Sequence, residues 1–457
     1  MLLSQVFAAF VSQRPYCVMV RGALERMLSA ERLDDLFQRM ATRQYERDLL
    51  FSSLVEVIGR VVMRVDSSVL AAYRALRDEL GVSDEALYQK LRGVELPVSQ
   101  ELVRDSFREA SGVLQALHAE EPSWVRGLRV KILDGNYLSA SQRRLAELRT
   151  IWDAPLPGRA LVVWDQPTRL IRDVFLTENG HASERSLLDQ VLATVVANDL
   201  WIADRNFCTC DFLLGLVERQ ARFVIRQHGQ LQGTSVGPRR RCDDTADGQK
   251  VFEQMVRIQK QGRSCLVRRV TVELTQPTRD GDHELHVFTN VTPREASAAR
   301  VAELYRQRWT IEVVFLELQT ALACEIHTLG YPKAALFTFC VALVLENTIS
   351  LLNGSLRAAH GAAVVREQLS TQLLSRELQK NYEGMMVQIP TAKWRVFSTM
   401  SPQQFAQTLL KLAQELDLTR YLKSQRGPKK KPPPKTGYKN GGHVATIDLL
   451  AKRKPKT

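Results

Sequence analysis

Apolar and polar positions alternate along residues 125–227 in the way that β-strands do. Leu128, Val130 and Ile132 alternate ahead of the pair Asp134-Gly135, which predicts a strand running into a turn. The pattern that follows predicts two strands joined as a hairpin, then a helix, a strand, a second helix and a further strand. The corresponding ranges are residues 160–165, 170–177, 184–198, 200–203, 212–220 and 222–226. This order predicts an α/β fold, with a mixed sheet flanked by helices.

Residues 228–293 interrupt the alternation of strands and helices. They contain three strand-like stretches, at residues 251–258, 264–275 and 284–290, with Gly281 at a turn. A segment of this length is too long for a connecting loop. We therefore expect a small β-rich subdomain inserted into the sheet domain.

The remaining parts of the chain have the pattern of helices. A long amphipathic stretch covers residues 43–64, and two helices are expected on either side of residues 93–97. The latter pair could form a helix-turn-helix, but the connection is long and contains Pro97, which favours ordinary helix packing. A helix is expected over residues 295–322, and further helices continue to residue 422.

Charge is concentrated at the carboxyl end of the chain. The sequence has 63 Lys and Arg against 50 Asp and Glu, yet residues 420–457 alone carry twelve basic residues and one acidic residue. The rest of the chain is therefore almost neutral. The tail includes Lys429, Lys430 and Lys431 followed by three prolines, a composition that does not fold alone. It is typical of a flexible arm that binds a polyanion such as DNA, or of a solubilising tail without a specific partner.

Other features of the composition exclude several classes of protein. The longest apolar run, residues 334–345, is shorter than the roughly 20 residues that a membrane span needs. The amino terminus has no secretory signal pattern, and the seven cysteines are scattered without a CxxC pair. We therefore expect a cytoplasmic protein without a membrane partner. No phosphate-binding loop of the GxxxxGK type occurs, which argues against the use of ATP.

Three acidic residues occupy positions suited to catalysis. Asp134 and Asp204 each follow a predicted strand, and Glu312 lies in the helix after the β-rich segment. If the two strands are neighbours, these carboxylates meet at one sheet edge. Oxygen ligands without His or Cys suit Mg²⁺ or Mn²⁺, and two such ions can promote phosphodiester cleavage. The alternative is an ordinary Asp-Gly turn and two surface carboxylates.

The residues around Glu312 strengthen the catalytic interpretation. Tyr305, Arg308, Glu312 and Gln319 are spaced by three, four and seven residues, so they fall on one side of a helix. A hydroxyl, a guanidinium and a carboxylate in one stripe suit a metal-bound phosphate. Arg308 could form a forked pair with phosphate oxygens, and Tyr305 could donate a hydrogen bond.

With these residues the sequence resembles the DDE transposases of the bacterial insertion-sequence 4 family. The family signature is Tyr, two residues, Arg, three residues, Glu, six residues, Lys. Tyr305, Arg308 and Glu312 match it, and Gln319 stands where the family has lysine. The resemblance implies an RNase H-like catalytic core with Asp134, Asp204 and Glu312 as catalytic residues and metal ligands, for two Mg²⁺ or Mn²⁺ ions.

The resemblance also implies a function and partners. A cut-and-paste transposase of this kind cleaves double-stranded DNA at the terminal inverted repeats of its element and joins the freed ends to target DNA. It works as a homodimer that bridges two ends, in the bacterial cytoplasm in association with the nucleoid. Tyr305, Arg308, Gln319 and the three tail lysines are the expected DNA-binding residues. A structure-specific nuclease on the same fold, or a transposase relic that only binds DNA, remain as alternatives.

Six regions follow from these observations. They are a helical DNA-binding domain at residues 1–122, the first part of the RNase H-like core at 123–227, the β-rich insertion at 228–293, the helix of the catalytic glutamate at 294–350, a helical carboxyl-terminal region at 351–422 and a basic flexible tail at 423–457.

Overall fold

A computed structural model of the chain describes residues 5–44, 48–139, 141–142, 144–278, 281–423 and 443–452. Lys429, Lys430 and Lys431 lie outside these ranges, so their role stays a prediction. The described part combines a long mixed sheet with helices on both faces, which is the α/β, RNase H-like architecture expected from the sequence.

The amino-terminal region is helical. Short helices α1 to α7 lead to α8, the longest of this group. Their bounds are α1 (Ala8–Gln13), α2 (Pro15–Met27), α3 (Ala30–Met40), α4 (Phe51–Val62), α5 (Val69–Ala75), α6 (Arg77–Leu80), α7 (Asp84–Gly93) and α8 (Leu96–Ala116). The amphipathic stretch predicted over residues 43–64 becomes α4, which starts only at Phe51. Ser83 caps α7 as its sequence suggests, because its hydroxyl accepts from the amide of Ala86.

The central sheet begins with β1 (Arg129–Tyr137), β3 (Arg159–Asp165) and β4 (Leu170–Thr177). Strand β3 lies between the other two and is antiparallel to both. A short strand, β2 (Ala154–Leu156), lies apart from them. After α9 (Leu188–Leu192) come β5 (Asp199–Ala203), α10 (Cys210–Glu218) and β6 (Arg222–Arg226). Strands β1, β5 and β6 are parallel neighbours, so this half of the sheet has the order β4-β3-β1-β5-β6.

The β-rich segment is not a separate sheet. Its strands are β7 (Thr234–Ser235), β8 (Arg240–Arg241), β9 (Val251–Lys260), β10 (Arg263–Glu273) and β11 (Glu284–Thr289). Strand β11 pairs with β6, and β10 and β9 follow, so the segment extends the core sheet to ten strands. The β-rich insertion expected over residues 228–293 therefore joins the core sheet: β6 would otherwise be an unpaired edge, and β11 covers it.

Helices occupy most of the carboxyl-terminal half. They are α11 (Ala298–Arg306), α12 (Thr310–Ala321), α13 (Pro332–His360), α14 (Ala362–Gln368), α15 (Thr371–Gln388), α16 (Thr391–Trp394), α17 (Val396–Thr399) and α18 (Pro402–Gln414). The single helix expected over residues 295–322 is divided, because residues 307–309 tighten into a 3-10 turn between α11 and α12. The start of α18 agrees with the sequence: Ser401 and Gln404 form a reciprocal capping box.

Helix α13 corrects the interpretation of the apolar run at residues 334–345. The helix that contains this run continues past Glu346, which is buried within its 29 residues. By length and composition this helix could cross a membrane, but 89% of its most apolar window is buried inside the protein. It packs against α8, α18 and β4. Its apolar character is therefore that of a central core helix.

Two hydrophobic clusters sandwich the sheet. Along β1, Val130 and Ile132 face a large cluster that also contains residues of the amino-terminal and carboxyl-terminal helices. Leu133 faces a smaller cluster under α9 and α10. Because helices from both ends of the chain share the larger cluster, the amino-terminal helices do not pack as an isolated unit. The division into six functional regions stays a prediction.

Two further expectations need correction. The helix predicted over residues 184–198 is only a 3-10 turn, Glu184–Leu187, followed by the single turn and a half of α9. The tail predicted to be flexible over residues 423–457 includes a stretch of regular structure. Strand β12 (His443–Ala445) pairs in parallel with β2, and α19 (Thr446–Ala451) follows. Ala445 and Thr446 are fully buried there, so this stretch packs against the rest of the protein.

Candidate active site

Asp134 and Asp204 lie side by side because their strands are parallel neighbours. Strands β1 and β5 are in register from Arg129 opposite Asp199 to Leu133 opposite Ala203. Asp134 directly follows Leu133, and Asp204 directly follows Ala203. The sheet therefore brings together two acids that are far apart in sequence, as predicted from their positions after strands.

The local structure at Asp134 differs from the expected Asp-Gly turn. Strand β1 continues to Tyr137, and Asp134 and Gly135 are still paired with Val162 and Leu161 of β3. The strand therefore leaves β5 behind at this point while it stays paired on its other side. Asp134 consequently stands where the β1–β5 ladder opens, which is the crevice in which parallel sheets commonly bind ligands.

Asp204 does begin a turn, as expected. It precedes the 3-10 turn Arg205–Phe207, and its Oδ1 accepts a hydrogen bond of 2.8 Å from the backbone amide of Asn206. This interaction fixes the backbone that follows β5 and holds one oxygen of the carboxylate in place.

Glu312 is linked to Asp134 through Arg308. Nη1 of Arg308 donates to Oδ2 of Asp134 over 3.1 Å, and Nη2 donates to Oε1 of Glu312 over 2.9 Å. Arg308 is buried, whereas 39% of the Glu312 side chain is exposed. The 3-10 turn before α12 carries Arg308 and so points the guanidinium into the crevice between the helix and the end of β1. The sequence did not indicate that this arginine bridges two of the acids.

The electrostatics of Asp134 show that the three acids influence one another. The pKa of Asp134 is raised to about 7, chiefly by burial and also by the negative charges of Asp204 and Glu312, against the opposing effect of Arg308. One guanidinium thus stands among three carboxylates. When all three are ionised, the group has an excess of two negative charges in a partly buried place, which is costly unless a cation joins it.

The other residues of the predicted stripe divide into two groups. Tyr305 is buried close to the acids: burial raises the pKa of its hydroxyl, with Arg308 opposing and Asp204 adding to the rise. Gln319 is exposed near the far end of α12, and its backbone carbonyl accepts from Arg64. It lines a separate cavity of about 280 Å³ together with Arg64, Ser139 and His327. The structure does not bring Gln319 into the acidic cluster.

One further acid lies beside this cluster and was missed by the sequence reasoning. Glu184 accepts a hydrogen bond of 2.5 Å from the side-chain amide of Asn206, two residues after Asp204. Its carboxylate also lies against the backbone of Gly135. Neither the spacing nor the composition around Glu184 signals this position, because it depends on how the loop after β4 folds over the sheet edge.

The donor set suits a hard divalent cation. Asp134, Asp204 and Glu312 offer carboxylate oxygens only, and the excess negative charge favours a cation at the same place. Within the described ranges, however, no set of three or more His, Cys, Asp or Glu side chains is already arranged to hold an ion. The physical reason is visible at Arg308, whose guanidinium stands between Asp134 and Glu312. The residues therefore fit a divalent ion by chemistry and charge, with Arg308 supplying the positive charge in its place.

Comparison with known families agrees with the fold. Residues 127–344 match the family model described as "Transposase DDE domain". The match begins just before β1 and ends within α13, so it includes the sheet and all three acids. This part of the chain is therefore similar to transposase DDE domains, a class that generally uses divalent metal ions and acts on DNA. No curated protein matches the chain.

Proposed function

We propose that the protein is a cut-and-paste transposase that cleaves and joins DNA at the ends of its element, with Asp134, Asp204 and Glu312 as the ligands of two Mg²⁺ ions. The observation that carries this proposal is that Asp134 and Asp204 lie side by side at the open end of β1 and β5, and that the guanidinium of Arg308 joins Glu312 to Asp134. The match to a transposase DDE domain supports the DNA-directed part of the function.

The proposed chemistry is an in-line displacement at phosphorus. When bound, the divalent ions would activate the attacking oxygen and stabilise the leaving oxygen. The three carboxylates would hold them, and Asp134 has to lose its proton to do so, since burial raises its pKa to about 7. Nε of Arg308 is buried without a hydrogen-bond partner among the described residues, so it could donate a hydrogen bond to a phosphate oxygen.

The first test removes the acids one at a time. In Asp134→Asn, Asp204→Asn and Glu312→Gln the side chains keep their size and lose their charge. We expect cleavage of labelled duplexes, taken from the DNA that flanks the coding sequence, to fall by at least about 10²–10³-fold with Mg²⁺, because charge stabilisation in the transition state is lost. Binding to the same duplexes should stay within about threefold.

Asp189→Asn is the matched control, because Asp189 is an exposed acid on α9 outside the cluster. Full cleavage by any of the three cluster variants would contradict the assignment. The same reactions separate the alternatives: a structure-specific nuclease cleaves but yields no joined product with target DNA, and a relic does neither although it binds.

The second test concerns the basic tail. Replacing Lys429, Lys430 and Lys431 together by Gln should weaken DNA binding and reduce the slope of log K against log salt by up to about 3, since each phosphate contact contributes about 0.9. Point changes are preferable to truncation because removal of the tail also removes β12. A matched control replaces three exposed helical lysines, Lys380, Lys393 and Lys411. An unchanged slope in the tail variant would refute the arm.

A further inference from the structure

Glu184 stands at the junction of three elements that build the active site. It opens the 3-10 turn after β4, and its side chain is only 17% exposed. Oε2 accepts from the side chain of Asn206, and Oε1 lies 4.0 Å from Nη1 of Arg159 on β3. The same Nη1 donates to the carbonyl of Ala182, which ties the loop before Glu184 to the sheet. Glu184 is thus held on one side by Arg159 and holds Asn206 on the other.

Asn206 is fixed from three directions. Its backbone amide donates to Asp204, its side-chain amide donates to Glu184, and its carbonyl accepts a bond of 2.7 Å from Nε of Arg185. Two of these three contacts come from consecutive residues, Glu184 and Arg185. The turn after Asp204 is therefore clamped by the 3-10 turn Glu184–Leu187.

Gly135 explains why this clamp can lie so close to Asp134. A Cβ at position 135 would lie 2.5 Å from Cδ of Glu184 and would overlap its carboxylate. A side chain at position 135 would displace the Glu184 carboxylate, so glycine lets Glu184 approach a regular strand closely, and no turn is involved. The backbone of Gly135, next to Asp134, therefore lies against Glu184, which holds the turn after Asp204.

We propose that Glu184 is a positioning residue of the active site: through its hydrogen bond with Asn206 it holds the Asp204 turn at the correct place beside Asp134. This inference rests on the proposed function. Glu184 is held in place by Arg159 and accepts a hydrogen bond from the side chain of Asn206. This bond fixes Asn206, whose backbone amide in turn holds Oδ1 of Asp204. Residues that orient metal ligands in this way commonly contribute 10-fold to 100-fold in metal affinity or activity.

The decisive pair of variants is Glu184→Gln and Glu184→Ala. The amide oxygen of Gln still accepts from Asn206, so we expect cleavage and Mn²⁺ affinity within about threefold of the wild type. Alanine removes the acceptor, so both should fall by about 10-fold to 100-fold. Mn²⁺ affinity is measured without DNA, from the electron paramagnetic resonance signal of the free ion. Thermal unfolding of both variants identifies any loss of folded protein.

A double-mutant cycle with Asn206→Ala tests the path through Asn206. Asn206→Ala should lose as much as Glu184→Ala, and the double variant should lose no more than the more impaired single variant, because both remove one interaction. Additive losses would overturn the proposal. A Glu184→Gln variant as weak as Glu184→Ala would also overturn it, since the charge and not the hydrogen bond would then matter.

The proposal and the proposed function fail in different ways. Wild-type behaviour of Glu184→Ala, with cleavage lost in Asp204→Asn, would overturn the role of Glu184 and leave the transposase assignment intact. Full cleavage by Asp204→Asn would overturn the assignment itself.

Discussion

The two ends of one strand pair show opposite arrangements of charge. At the amino end of β1 and β5, Lys131 and Asp199 form an ion pair of 2.5 Å, and each side chain is only 1% exposed. At the other end, three and five residues along, Asp134 and Asp204 lie side by side, and Asp134 shares the guanidinium of Arg308 with a third acid, Glu312. The same two strands therefore carry a balanced pair at one end and an excess of negative charge at the other.

The balanced pair serves folding. Burial lowers the pKa of Lys131, and the charge of Asp199 opposes that effect, so each charge is tolerated because its partner is present. The ammonium also lies 5.0 Å from the ring centroid of Trp201, within the range of a cation–π contact. Asp199 has a further role at the start of β5, because its carboxylate accepts a hydrogen bond from the backbone amide of Val196 in the preceding loop.

The unbalanced end is the place where we propose that the metal ions bind. Arg308 offsets only part of the charge of Asp134, Asp204 and Glu312, and the pKa of Asp134 is raised by its burial and, in addition, by the charges of the other two acids. A folded protein gains nothing in stability from this arrangement. Its presence in an otherwise well-compensated sheet is the kind of local inconsistency that marks a functional site.

The largest expected effect comes from breaking the balanced pair. Lys131→Met leaves Asp199 buried without its partner, which should lower the free energy of unfolding by about 3–5 kcal/mol. Asp134→Asn, at the other end, should change it by less than about 1 kcal/mol or raise it, because it removes a repulsion together with the attraction to Arg308. Urea unfolding of the two variants and the wild type measures both.

The double variant Lys131→Met/Asp199→Leu is the control for this comparison. It removes both charges and should recover part of the loss, because no unpaired ion stays buried. If Lys131→Met were as stable as the wild type, or if Asp134→Asn were equally damaging, the contrast between the two ends would be wrong.

The sequence predicts the acids at the open end because their position depends on simple rules. Alternation places Asp134 after Ile132 in one strand, the short apolar strand places Asp204 in another, and parallel neighbours bring their ends together. The spacing of Tyr305, Arg308 and Glu312 works in the same way, since the helix period decides which side chains share a face. The divided helix does not separate these residues, because Arg308 in the 3-10 turn still donates to Glu312.

Other features depend on contacts that leave no local pattern. Gly135 reads as a turn residue, yet it is in a strand under the carboxylate of Glu184, and that contact comes from a loop some fifty residues away. The pairing of β11 with β6 and the burial of α13 also follow from packing of distant segments. Gln319 shows the limit of the helix stripe, because it shares the face of Glu312 but lies too far along α12 to join the acids.

The smallest expected effect is a pH dependence that separates the two ends. The pKa of Asp134 is raised from 3.8 to about 7 in the folded, metal-free protein, so the folded state binds its proton more tightly than the unfolded chain does. For an acid with a raised pKa, stability is lost as pH rises from about 4 through 7, because the folded protein must give up a proton that it holds well. Between pH 6 and 8 this loss amounts to about 1 kcal/mol, given 1.36 kcal/mol for each unit.

Asp134→Asn isolates this contribution, since the variant lacks the titrating group and all other groups stay the same. The difference in unfolding free energy between the variant and the wild type should therefore widen from pH 6 to pH 8, in favour of the variant, when both are measured in urea with a chelator present. A difference that stays constant over this range would show that Asp134 is already ionised at pH 6. The excess of negative charge would then be tolerated without the proton, and the open end would resemble the balanced end more closely than its three carboxylates suggest.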